Sequence, residues 1–164
     1  MDLYSLVVFV HAACVLLFFI AHGTSMAVAF KIKDEQDPAR VRALLDLSRY
    51  SLGVPSVVVV IIGVVAGIAA GFMGGWWGQL WIWISLVLFV GIALAMTPLV
   101  SLRLNRIREA AGMPAATAKP DAPVPMEDPA ELRRRLDAWN PVPVAVAGLG
   151  GFLVILYLMM AKPF

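Results

Sequence analysis

Four long apolar stretches alternate with two polar ones along the chain. Residues 3–30, 55–72, 79–102 and 141–160 are almost wholly apolar. Each is long enough to cross a hydrocarbon layer of about 30 Å, which takes roughly 20 helical residues. The spacing predicts an all-α, integral membrane four-helix bundle forming a single domain.

The polar stretches carry their own helical signals. After Lys31, Lys33, Asp34 and Glu35, the run Asp37-Pro38-Ala39 offers an N-cap followed by proline at the first helical position. Val41, Leu44, Leu45 and Tyr50 then recur at helical spacing among Arg40, Arg42, Asp46 and Arg49, as expected of a short amphipathic interfacial helix. Asp128-Pro129-Ala130-Glu131 repeats the pattern, with Glu131 placed for a capping box ahead of a second short helix. Between them Pro114, Pro120, Pro123 and Pro125 interrupt an Ala-rich segment, which predicts a mobile loop over about 110–128. Thr97-Pro98 predicts a kink near the end of the third span.

Composition and charge sharpen this picture. The 164 residues are 61% hydrophobic and 15% charged, and mean hydropathy is +0.86. Soluble domains run nearer 45–50% apolar and 25% charged. A net charge of +2 gives no reason to expect a nucleic-acid partner; the lipid bilayer is the expected one. Asp2 is the only charge before the first apolar run, where a cleavable signal carries Lys or Arg, so that run is expected to stay as a helix. Twelve of the thirteen Lys and Arg fall in the loops after the first and third spans. By the positive-inside rule these loops are cytoplasmic and both termini lie outside, in a bacterial cytoplasmic membrane.

The candidate chemistry sits in the first span. His11 and His22 are the two histidines of the chain. Eleven helical residues separate them by about 16 Å along the axis and only about 20° around it. Both therefore share a face, one in each half of the bilayer. Polar groups at such depth need partners. Packing glue is one reading, with each imidazole bonded to a neighbouring helix. Axial ligation of b-type haem is a second. The two nitrogens that bind one iron lie only about 4 Å apart, so His11 and His22 cannot share it. Met96 is at a depth similar to His22 and could be its partner. A parallel homodimer would instead pair each histidine with its own copy, giving two stacked haems and a route for electrons across the bilayer. Copper is a third reading, with Cys14 one turn from His11 and Met26 one turn from His22.

Gly63, Gly67, Gly71 and Gly75 recur every four residues from the second span onward. This is the signature of close helix approach, or of a groove against which a flat porphyrin lies. Trp76, Trp77, Trp81 and Trp83 open the third span as an aromatic belt, or as a stacking site for a quinone or haem. The spans carry no Lys, Arg, Asp or Glu in their cores, and the chain has no phosphate loop, CxxC, HExxH or nucleophile elbow. Ion-coupled transport, nucleotide chemistry and hydrolase chemistry are not indicated.

The order of LVVFVHAACVLLFFIAHG, PARVRALLDLSRYSLG, the glycine-rich second span and PLVSLRLNRIRE resembles a known group. It is similar to uncharacterised bacterial four-helix membrane proteins related to the copper-resistance D domain, and more distantly to HemJ-type protoporphyrinogen oxidases. The resemblance covers roughly residues 3–110. It implies haem or copper binding, with His11 matching the early first-helix histidine. The lysine expected in the third helix of the oxidases has no match, which removes protoporphyrinogen oxidation from the implication. The function expected is a b-type haem protein moving electrons, alternatively an accessory subunit of a larger membrane complex, and third a copper-binding protein.

Overall fold

The computed structural model describes every residue except Met1, Gly53, Thr117, Pro120 and Phe164; around 49–55 and at 97–98 only the main chain is described. The fold is all α, with no strand among the described residues. Four helical stretches have the length and apolarity to span a membrane: Leu3–Asp34, Ser56–Met73, Leu80–Ala110 and Val142–Ala161.

Helix α1 (Leu3–Asp34) begins at Asp2, whose carboxylate accepts from the Ser5 amide at 2.7 Å. Its 32 residues make it about 48 Å long, so it outruns the hydrocarbon layer and its last turns stand beyond it. Helix α2 (Pro38–Leu52) starts as its sequence predicts, with the Ala39 amide bonded to the Asp37 carboxylate at 2.9 Å. Helix α3 (Val54–Met73) returns against α1. Gly75, at φ 68°, takes a left-handed turn into a short 3-10 turn, Trp76–Gly78. Helix α4 (Leu80–Met96) widens into one π-type turn, Thr97–Ser101, and continues as α5 (Leu102–Ala110). The expected kink therefore takes the form of a wide turn, at the point where Pro98 has no amide to give the ladder. Helix α6 (Pro129–Asp137) is capped by Asp128, which accepts from the Glu131 amide at 2.9 Å. Glu131 itself pairs with Arg134 and Arg135 instead of returning to the cap. The last span is α7 (Val142–Ala145), a second wide turn, Val146–Gly150, and α8 (Gly151–Ala161).

The spans form two pairs, α1 with α3 and α4 with α8. The most deeply buried cluster lies beyond them, at the end where α1 and α5 emerge. There Val28, Ile32, Val41, Leu45, Ile107 and Leu136 are closed over by Trp139, whose indole N–H donates to the Ala29 carbonyl at 2.8 Å. Arg108 is 2% exposed at the centre of this cap. It donates to the carbonyls of Leu45 at 2.8 Å and Pro114 at 3.0 Å, and to the Asp46 carboxylate at 3.4 Å. A buried guanidinium is tolerable only with such a full set of acceptors.

The Pro-rich segment is tethered to the cap at several points. Met113 is buried, the Ala116 amide bonds Asn105 at 3.0 Å, Arg42 reaches Glu127 at 2.8 Å, and the Asp128 amide bonds the Ala110 carbonyl at 2.9 Å. Pro120, one of the expected interruptions, lies outside the described residues.

At the opposite end Trp76 donates to Tyr4 at 3.2 Å, and the Lys162 ammonium sits 4.1 Å from the Trp76 ring. These contacts tie α1 and the chain's last turn to the aromatic belt.

Candidate functional site

Each histidine of α1 meets a different helix. His11 turns its Nδ1 to the carbonyl of Gly63, 2.7 Å away. A carbonyl can only accept, so Nδ1 carries the hydrogen and donates. The ring lies against Gly67 so closely that a Cβ there would come within 2.8 Å of it. One turn back, a Cβ on Gly63 would meet Cys14 at 2.9 Å; one turn on, a Cβ on Gly71 would meet the Trp77 indole at 3.2 Å. The glycine face of α3 is thus covered by Cys14, His11 and Trp77. A flat cofactor lying against Gly63, Gly67 and Gly71 would have to displace all three.

His22 faces the other pair of helices. Its ring stacks on Phe18, with centroids 5.5 Å apart and planes at 25°, and meets the edge of Phe152 at 5.7 Å. Phe152 also contacts Phe18 and Phe19, so the imidazole sits in a pocket of aromatic carbon. Its Nε2 points toward Gly148. A Cβ on Gly148 would lie 3.3 Å from His22 Nε2 and 3.9 Å from Met96 Sδ. His22 and Met96, from α1 and α4, thus approach the same bare stretch of backbone.

One wide turn begins beside this point and the other contains it. Met96 ends α4 immediately before the turn at Thr97–Ser101, and Gly148 is the middle residue of the turn at Val146–Gly150. Such turns rotate the side chains that follow them and loosen the backbone ladder locally, and they collect at functional sites.

The donor set is one imidazole nitrogen and one thioether sulfur, both uncharged. A bridging ion at ordinary bond lengths would hold them about 4.3 Å apart. With the distances above, the Gly148 Cβ position would then lie about 3 Å from the ion. Gly148 has no side chain to occupy that space.

A porphyrin held between His22 and Met96 would have to share the space beside Gly148, whose Cβ position lies 3.3 Å from the imidazole nitrogen and 3.9 Å from the sulfur.

The two histidines are not brought together, and Cys14 lies beside Gly63, away from His22. Met26 is part-buried one turn beyond His22 on α1. Among the described residues no three His, Cys, Asp or Glu side chains gather, so any metal site here depends on methionine sulfur. Gly148, Phe18 and Phe152 were not anticipated from the sequence. The usable signal was Gly148-Leu149-Gly150-Gly151, three glycines in the middle of an otherwise bulky span.

A family model described as a predicted integral membrane protein, DUF2269, matches residues 5–163. No curated protein and no solved structure matches the chain.

Proposed function

The chain belongs to the DUF2269 family of predicted integral membrane proteins, and on that premise we propose that it binds a cuprous ion within the bilayer, between His22 and Met96. The observation that carries this reading is the convergence of Nε2 and Sδ on Gly148. Cu(I) is a soft ion that accepts imidazole and thioether donors. The aromatic collar of Phe18 and Phe152 excludes water from the same point. Met96 supplies sulfur from the end of α4, and His22 is held in orientation by stacking, so an ion would join the two helix pairs through their shared node. Topology follows from the basic loops: a bacterial cytoplasmic membrane with both termini outside.

The test is metal analysis with an optical spectrum on protein purified from copper- and haem-replete cells. We expect about one copper per chain and no haem bands. His22→Ala and Met96→Leu should each lose the metal, whereas His11→Ala and Cys14→Ser should keep it. A metal-free, colourless protein that stays folded would overturn the proposal.

Haem-mediated electron transfer is the second reading, supported by the His/Met donor set and the surrounding rings. It predicts low-spin b-type bands that vanish in His22→Ala. An accessory-subunit role is supported by a different feature, an apolar groove of about 430 Å³ between α1 and α3, lined by Leu6, Val10, Ile62 and Ala66 among others. That reading predicts a colourless, metal-free protein whose groove variants lose a partner or a second copy.

A further inference from the structure

The arginines of the capped end whose side chains the structure describes divide into two groups. Arg40, Arg42, Arg133, Arg134 and Arg135 each reach a carboxylate, and Arg108 is buried among its acceptors. Arg103 and Arg106 are exposed on α5 and make no ion pair among the described residues. Glu109, one turn from Arg106, is exposed and bridges neither of them.

These two arginines stand at a defined place in the helix. Leu104, Ile107 and Arg108, on the other side of α5, are buried in the cap. Leu99 and Leu102 each precede one arginine, Arg103 and Arg106 respectively, by four residues and are exposed at 37% and 53%. The stripe therefore reads apolar where the helix leaves the hydrocarbon layer and doubly basic one turn further on. An exposed arginine pair bridged to no protein acid among the described residues, beside exposed leucines, matches a phospholipid standing alongside the helix.

We propose that Arg103 and Arg106 form a binding site for the headgroup of an anionic glycerophospholipid, with its acyl chain lying against Leu99 and Leu102. A phosphodiester oxygen accepts charge-assisted bonds from both guanidinium groups. A headgroup with net negative charge is selected over a zwitterionic one because the two guanidinium charges outweigh the one neighbouring carboxylate, Glu109, and each basic residue contributes about a fivefold preference near such a surface. The bound lipid braces the wide turn Thr97–Ser101, on whose far side Met96 lies. The site stands whatever His22 and Met96 hold.

Native mass spectrometry of the full chain, released from detergent with added phosphatidylglycerol or phosphatidylcholine, tests this. Wild-type protein should retain phosphatidylglycerol preferentially. R103Q/R106Q should weaken retention about twentyfold, whereas R103K/R106K should keep most of it and Lys119→Gln should leave it unchanged. Circular dichroism confirms that the variants fold, which is expected because both arginines are exposed. L99S/L102S should weaken lipid retention, and soluble glycerol phosphate should fail to displace the lipid. Equal retention by R103Q/R106Q, no preference over phosphatidylcholine, or displacement by glycerol phosphate alone would each overturn the proposal.

Discussion

Gly67 and Gly23 are both glycines within helices, yet their surroundings oppose each other. A Cβ on Gly67 would press into the His11 ring at 2.8 Å, while one on Gly23 would meet nothing within 4 Å. Gly67→Ala should therefore destabilise the protein by about 1–3 kcal/mol through overpacking, measured as earlier unfolding in a detergent series. Gly23→Ala should leave stability unchanged or raise it by about 0.5–1 kcal/mol, because alanine loses less backbone freedom in a helix. A Gly67→Ala protein as stable as wild type would mean that the α1–α3 contact is looser than the distances indicate. At the node proposed to hold copper, Gly148→Ala puts a methyl group 3.3 Å from His22 Nε2. It should lower copper occupancy in a protein that still folds, read by metal analysis at matched helicity.

At the scale of elements, Arg108 decides whether the cap holds. Replacing it with Leu takes the guanidinium away from the Pro114 carbonyl, leaves the Leu45 carbonyl only its bond from Ser48, and removes a side chain from the centre of the cluster. Loss of one partner in such a buried network costs about 3–5 kcal/mol. Arg108→Leu should expose the 115–125 segment to protease well before the spans unfold, and Arg108→Lys should not restore protection, because one ammonium cannot reproduce the fork of a guanidinium. The elements themselves were legible from the chain. Span lengths, the Asp37 and Asp128 caps and the amphipathic α2 follow from apolar runs and capping residues, which are local signals. The cap was not legible, because it depends on α1 outrunning the membrane and on contacts such as Trp139 to Ala29 between residues far apart in sequence. Met96 could be matched to His22 by counting residues from the helix ends. Gly148 could not, since nothing local says which face of the last span turns toward α1.

For the whole molecule, orientation is the open test. Twelve basic residues lie in the two loops of the capped end, so that end is expected in the cytoplasm. A cysteine placed in 115–125, in a background with Cys14 changed to Ser, should resist an impermeant maleimide in intact cells. One placed after Met160 should react. Labelling of the 115–125 position in intact cells would reverse the topology, while the two-pair architecture would stand.

The length of α1 has a mechanical consequence. It is one uninterrupted rod of about 48 Å, gripped at its inner end by Val28, Ala29 and Ile32 inside the cap. Packed on α3 and seated in the cap at one end, it moves with that helix as a lever. If the cap rocks by about 5°, the far tip, with Tyr4 and its bond to Trp76, sweeps roughly 3 Å. His22 lies nearer the fulcrum and moves much less than His11. Whatever loads the cap from the aqueous side is thereby felt most strongly at the opposite surface of the membrane.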